Sequence, residues 1–253
     1  IGGPKAGLNF RFVLIEKIIL IDLVFDAGSG PGNQILPRFI LTLDQVGEMY
    51  VNNLYFSNVK SAYEDSKAPN ILIETKKPII NLTIFDVDIP DNFEVGSFIS
   101  TMGKITYLNV DRVKSYFSNG YFNKFEGQAK GGGKKRRNNF ISIFSGVQNA
   151  VFSNIAIKKN VVTKSSFILV FNAVDLVKFD GIKAEENITG SGDNAKVSLL
   201  TVIQSKGTLN KVEMRNSKFI KNYSINPNKN KNFSACFTFN GKINNADVQT
   251  SKF

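Results

Sequence analysis

Apolar and polar residues alternate along this chain in short runs, the period-two pattern of strands with one buried and one solvated face. The stretches "IILIDLVF" (18–25), "LTIFDVDI" (82–89) and "VKFDGIKA" (177–184) show it. Apolar residues at helical spacing are nearly absent. The windows are rich in Val, Ile, Phe and Asn, which favour strands and turns. The pattern predicts an all-β chain.

The runs also repeat. Each reads apolar, any, apolar, any, Asn or Asp, then small or apolar. Aligned on the central apolar residue they place Leu20, Phe56, Ile84, Tyr107, Phe152, Phe179, Met214 and Val248 together, at spacings of 36, 28, 23, 45, 27, 35 and 34. Two residues later stand Asp22, Asn58, Asp86, Asn109, Asn154, Gly181, Asn216 and Thr250, six of the eight being Asn or Asp. With 41 Asn plus Asp in 253 residues, chance would supply only one or two. Asn and Asp tolerate left-handed backbone angles, so this position is expected to be a bend. A second apolar anchor precedes most copies, at Phe39, Ile71, Phe98, Phe140, Phe167, Leu199 and Phe233. Each repeat therefore reads strand, turn, strand, bend, strand, then a loop of variable length. The predicted loops are 62–70, 90–97, 185–196 and 222–232, with the longest, a basic insertion, at 113–139.

Self-similarity at this period means stacked units, and strands without helices make them a β-solenoid. Like residues would stack between coils, Asn in hydrogen-bonded ladders and Phe in the core. A β-sandwich would give more even spacing with hairpin turns and leaves the Asn register without a cause. On these repeats the chain resembles a right-handed parallel β-helix of the pectin-lyase-like type over about residues 8–253, and it is similar to surface and adhesin-type β-helices. The resemblance implies about eight coils in a single domain spanning 1–253, with variable loops mostly on one side, where repeat proteins place binding. It implies a non-catalytic structural or adhesive segment of an extracellular or cell-surface protein, partnered by other coils or subunits of a larger assembly. The last copy ends inside a strand at Phe253, so further coils or a cap are expected beyond it. The enzymes of this type imply an alternative, a carbohydrate-active β-helix working with clustered carboxylates. Candidates are Asp86, Asp88 and Asp91, which could also hold a weakly bound cation, and Asp180, Glu185 and Glu186.

Composition narrows the chemistry. The chain has no His, so His-based triads, Cys–His pairs and His-ligated metals are excluded. Its single cysteine, Cys236, allows no intrachain disulfide and no CxxC site. Nothing in the pattern calls for a cofactor or metal. A formal charge of +11 suggests an anionic partner, an acidic glycan or an anionic surface. The abundance of Lys and Asn is equally what an AT-rich coding sequence gives. The basic charge concentrates in "AKGGGKKRRNN" (129–139), with Lys130, Lys134, Lys135, Arg136 and Arg137 as candidate anion-binding residues. It is not a P-loop, because no Ser or Thr follows the lysines. Lys158, Lys159 and Lys164 extend the basic strip into the next coil. Nearby aromatics such as Tyr116, Phe117 and Tyr121 are expected to pin the loop to the solenoid, which disfavours nucleic acid. Sequons occur at Asn81, Asn187, Asn222 and Asn232, of which the last three fall in predicted loops and are the glycosylation candidates.

One motif argues differently. "VFDAGSGPGN" (24–33) looks like the nucleotide-binding turn of a SAM-dependent methyltransferase. Such an enzyme needs a helix next, yet only "QILPR" separates Asn33 from Phe39, and Pro37 breaks any helix there. The repeat register instead makes Asp22 a bend residue.

Overall fold

The computed structural model describes residues 8–26, 39–57, 71–75, 77–89, 97–115, 123–126, 141–163, 166–190, 198–225 and 236–253. Among these, strands are the only regular elements, with no helix. Most strands join one large parallel sheet and four more form a second, an arrangement consistent with a β-solenoid.

The pairing falls into columns. The first runs from residues 8–13 and 39–44 through Ile71–Thr75, Ser97–Thr101, Ile141–Ile143, Ile168–Phe171, Leu200–Ile203 and Phe237–Asn240. The second runs from residues 15–21 and 46–52 through 79–85, 105–111, Val147–Ser153, Ala173–Asp180, Leu209–Arg215 and Ile243–Gln249. The third begins at 23–26 and 54–57 and continues through 87–89, 113–115, Ala156–Lys158, Lys183–Glu185 and Lys218–Ile220 to a bridge at Lys252. The second sheet is a fourth column of Asn123–Glu126, Asn160–Thr163, Ile188–Gly190 and Tyr223–Ile225.

Parallel sheets are usually covered on both faces and read as continuous apolar runs. Here one face meets solvent, which is why the strands alternate. In the second column the inward positions form rows. One is Met49, Leu82, Leu108, Ala150, Val177 and Val212, the next Val51, Ile84, Val110, Phe152, Phe179 and Met214, all buried. Phe152 and Phe179 stack as expected, with ring centres 5.3 Å apart and planes 15° from parallel. Their outward neighbours, such as Asn149, Lys178 and Lys211, are polar.

Left-handed residues turn the chain from the second column to the third. They are Asp22, Asn53, Asp86, Arg112, Asn154, Gly181, Asn216 and Thr250, with φ between 49° and 67°. The bend does not interrupt the ladder: the Asn154, Gly181 and Asn216 amides donate to the Asp180, Arg215 and Gln249 carbonyls of the next repeat. Six of the eight predicted bend residues are the observed ones. Two are corrected. The second repeat turns at Asn53, while Asn58 lies outside the described residues. The fourth turns at Arg112, while Asn109 sits within a strand. The inward residues change with them: Val51 and Val110 are buried, and Tyr107 is 53% exposed.

The fourth column is a second correction. Residues 113–139, 185–196 and 222–232 were expected as loops, yet they contain the strand ends 113–115 and the strands Asn123–Glu126, Ile188–Gly190 and Tyr223–Ile225. A second set of left-handed residues, Lys159, Glu186 and Lys221, turns the chain into this column. Directly after each comes an asparagine, and Asn160, Asn187 and Asn222 form a ladder. Asn187 Nδ2 donates to Asn222 Oδ1 at 2.8 Å and to the Ile157 carbonyl at 2.9 Å. Asn160 Nδ2 donates to Asn187 Oδ1 at 3.3 Å, and Ser115 Oγ extends the row by donating to Asn160 Oδ1 at 3.0 Å. Asn160 and Asn187 are fully buried. The stacked Asn ladder therefore exists, at the corner after the expected one.

A buried amide left without partners costs about 1–3 kcal/mol. Asn187→Ala removes the central rung and strands groups of the asparagines on both sides. It is expected to destabilise the fold by at least about 2 kcal/mol, measured as a lowered midpoint of urea unfolding at unchanged slope.

Candidate functional site

Beside the bend column runs an open groove of about 630 Å³. Its walls carry Asp86, Asp88, Arg112, Lys114 and Lys183, with Tyr55 at one end. Six bend residues, from Asp22 to Gly181, line it, so at ~4.8 Å per strand it is roughly 24 Å long. It is open at Ala156 and Gly181, where small residues leave little side chain to fill it.

The groove holds together through contacts between repeats. Asn53 Nδ2 donates to Asp22 Oδ1 at 2.7 Å. Arg112 grips Asp86 with both ends of its fork, Nε to Oδ1 at 2.6 Å and Nη2 to Oδ2 at 2.8 Å. Its Nη1 donates to Asp111 Oδ2 at 2.5 Å, and its guanidinium lies 5.3 Å from the centre of the Phe85 ring. Asp111, almost buried, also accepts from Ser153 Oγ and Asn154 Nδ2, each at 2.8 Å. A left-handed arginine is disfavoured by its Cβ. Here the side chain that bends the backbone is also the clamp that ties one bend to the previous one.

These contacts set the charges. The Arg112 hydrogen bonds hold the Asp86 carboxyl below the usual aspartate range, against a smaller opposing effect of burial, and Asp86 in turn raises Arg112. Asp180 is lowered chiefly by the Asn216 amide, which donates to Oδ1 at 2.9 Å, and then by Lys178. Most carboxylates expected as catalytic or cation-binding candidates are thus occupied in the frame; Asp88 is the exception, exposed on the groove wall opposite Lys114. Asp86 is clamped, and Asp91 lies outside the described residues. Glu185 and Glu186 pair with Lys158 and Lys159 at 3.3 and 3.7 Å.

The same pairs bear on the basic strip. Lys158 and Lys159, expected as anion-binding residues, are already matched by carboxylates of the next repeat. Lys130, Lys134, Lys135, Arg136, Arg137 and Lys164 lie outside the described residues, as does the glycosylation candidate Asn232. Asn187 and Asn222 do not sit in loops. They are the ladder rungs described above, and the sequon threonine Thr189 is buried with Asn187. Asn81 lies in a strand and donates to Glu48 Oε1 at 2.8 Å. Of "VFDAGSGPGN", residues 24–26 continue a strand directly after the Asp22 bend, and the rest lies outside the described residues.

No protein-family model, curated protein or solved structure matches the chain.

Asp86 has its folded pKa depressed, so its contribution to stability is present above the unfolded value, about 3.9, and is lost as pH falls through the folded value. Wild-type stability should therefore drop as pH falls below about 4. Asp86→Asn should lower stability at neutral pH and flatten that acid-side drop, read from thermal midpoints across pH 7 to about 2.5.

Proposed function

We propose that this chain is a non-catalytic structural or adhesive segment of an extracellular or cell-surface protein. We read it as a right-handed parallel β-helix of about eight coils, of the pectin-lyase-like architecture. The right hand follows from the strong preference of parallel strand crossovers for it. The segment would act as a stiff support that offers its outer faces and its inter-strand segments to protein or glycan partners.

One observation carries the reading. Parallel pairing is kept from residue 8 to the bridge at Lys252, and the polar side chains at the bends are spent on binding one repeat to the next. A carboxylate that performs acid–base or nucleophilic work must reach a substrate. Asp22, Asp86 and Asp180 instead accept hydrogen bonds from neighbouring repeats, which is the work of a frame.

The carbohydrate-active alternative separates cleanly. The purified chain, incubated with a panel of neutral and acidic polysaccharides, is expected to release neither reducing ends nor unsaturated products, whether or not it binds them. Wild-type product release that Asp86→Asn or Asp88→Asn abolishes would overturn the non-catalytic reading. For location, antibody to the chain should stain intact, unpermeabilised cells of its source, and staining only after permeabilisation would reject a surface position.

A further inference from the structure

The outward positions of the third column carry a row of cations. Lys183, Lys218 and Lys252 stand side by side in consecutive repeats. Lys114 stands two repeats before Lys183, with Ala156 between them. All four lysines are exposed. At ~4.8 Å per strand the row spans roughly 19 Å, with one gap of ~9.6 Å over Ala156.

Other exposed lysines, such as Lys77, Lys104, Lys206 and Lys242, also lack a salt bridge to a described residue, but here three stand side by side, where several other repeats set a basic residue against an acid. Lys158 faces Glu185, Lys159 faces Glu186, Lys211 pairs with Glu213, and Arg215 with Asp247. None of the four lysines in the row forms a salt bridge with a described residue. Like charges directly opposite one another on neighbouring strands repel. Lys183, Lys218 and Lys252 are therefore a standing repulsion that no salt bridge to a described residue relieves, and an external anion would; Lys114, at the far end of the row, stands instead beside Asp88 of the preceding repeat and near Asp86. The groove adds shape: beside Ala156 lies Gly181, so a space is open between Lys114 and Lys183.

We propose that this row seats a linear anionic glycan lying along the stacking direction. One acidic group would rest over Ala156 between Lys114 and Lys183, and others over Lys218 and Lys252. The proposal rests on the non-catalytic reading and names a ligand class for it. A single file of charges, recessed at Ala156, suits a polymer chain better than the flat surface of a membrane. Single-stranded nucleic acid wants aromatic side chains interleaved with the basic groups; between Lys114 and Lys252 the row holds only Ala156, and its one exposed aromatic, Tyr55, lies beyond Asp88. Lysine is a point charge without the planar fork that reads carboxylate or phosphate shape. The groove's arginine, Arg112, is already held by Asp86 and Asp111. Affinity should thus follow charge density, and a sulfated glycan should bind tighter than one carrying carboxylates alone.

The test uses the whole chain with three probes: heparin, a polyuronate, and a single-stranded oligonucleotide of similar charge, titrated between about 50 and about 200 mM salt. The variants are the triple Lys183→Gln, Lys218→Gln, Lys252→Gln, and one in which Lys134, Lys135, Arg136 and Arg137 each become Ser. Heparin is expected to bind more tightly than the polyuronate. The triple variant should weaken heparin binding at least about tenfold and lower the slope of log affinity against log salt by about three. Its melting temperature should stay level or rise, because a repulsion is removed. Heparin binding that survives in the triple variant, or is lost only in the serine variant, would overturn the proposal. So would tighter binding of the oligonucleotide, or a melting temperature that falls in the triple variant. None of these outcomes depends on product release, so a failure here leaves the non-catalytic reading standing on its own test.

Discussion

Everything in this molecule depends on parallel, in-register stacking. Each side chain lies ~4.8 Å from the equivalent side chain of the repeat before and the repeat after. Position thus matters more than local sequence, and each row must tolerate its own repetition. Apolar rows do so easily: Val51, Ile84, Val110, Phe152, Phe179 and Met214 fill one strip with no exposed gap. Amides do so by donating in one direction and accepting in the other, as Asn160, Asn187 and Asn222 show. The backbone bonds of the bends belong to the same ladder, so the corners are continuous with the strands.

Charges are the difficult case, because a repeated charge repels itself. Several rows solve this by alternating sign. Arg112 answers Asp86, Glu185 answers Lys158, and Glu186 answers Lys159; where Glu213 and Asp247 stand side by side, Arg215 on the next outward position bridges both. Such exposed pairs contribute modestly to stability one at a time. They also favour the observed register, since displacement by one repeat would set Lys159 against Lys221 and leave Asp86 without Arg112. The lysines of the third column stand outside this pattern, and that contrast gives them their interest.

The fold class was legible because it rests on two periods, two residues along a strand and a few tens of residues between repeats. Bends at Asp22, Asp86, Asn154 and Asn216 were legible because their residue types suit left-handed backbone. The second repeat misled because the pattern fits it twice, as Met49, Val51, Asn53 and again as Leu54, Phe56, Asn58. Only pairing with Asp22 and Asp86 chooses between them. Arg112 was hidden because its conformation is supported by the Asp86 fork, which comes from the preceding repeat and which one sequence cannot place beside it. The fourth column was missed because strands as short as Ile188–Gly190 carry too few residues to show a period. The lysine row is likewise invisible along the chain: Lys183, Lys218 and Lys252 become neighbours only once the strands are aligned.

The asparagine corner has a consequence for biosynthesis. Asn187 and Asn222 each begin a sequence that an oligosaccharyltransferase accepts, and the nitrogen it would modify is the one that closes the ladder. In a compartment that attaches N-linked sugars, corner and enzyme compete for the same atoms. A sugar added first would leave no room for the fully buried Asn187. A corner closed first would hide the acceptor for the life of the protein. For such a chain the order of two events during synthesis, and not any later equilibrium, decides whether these repeats ever join the rest.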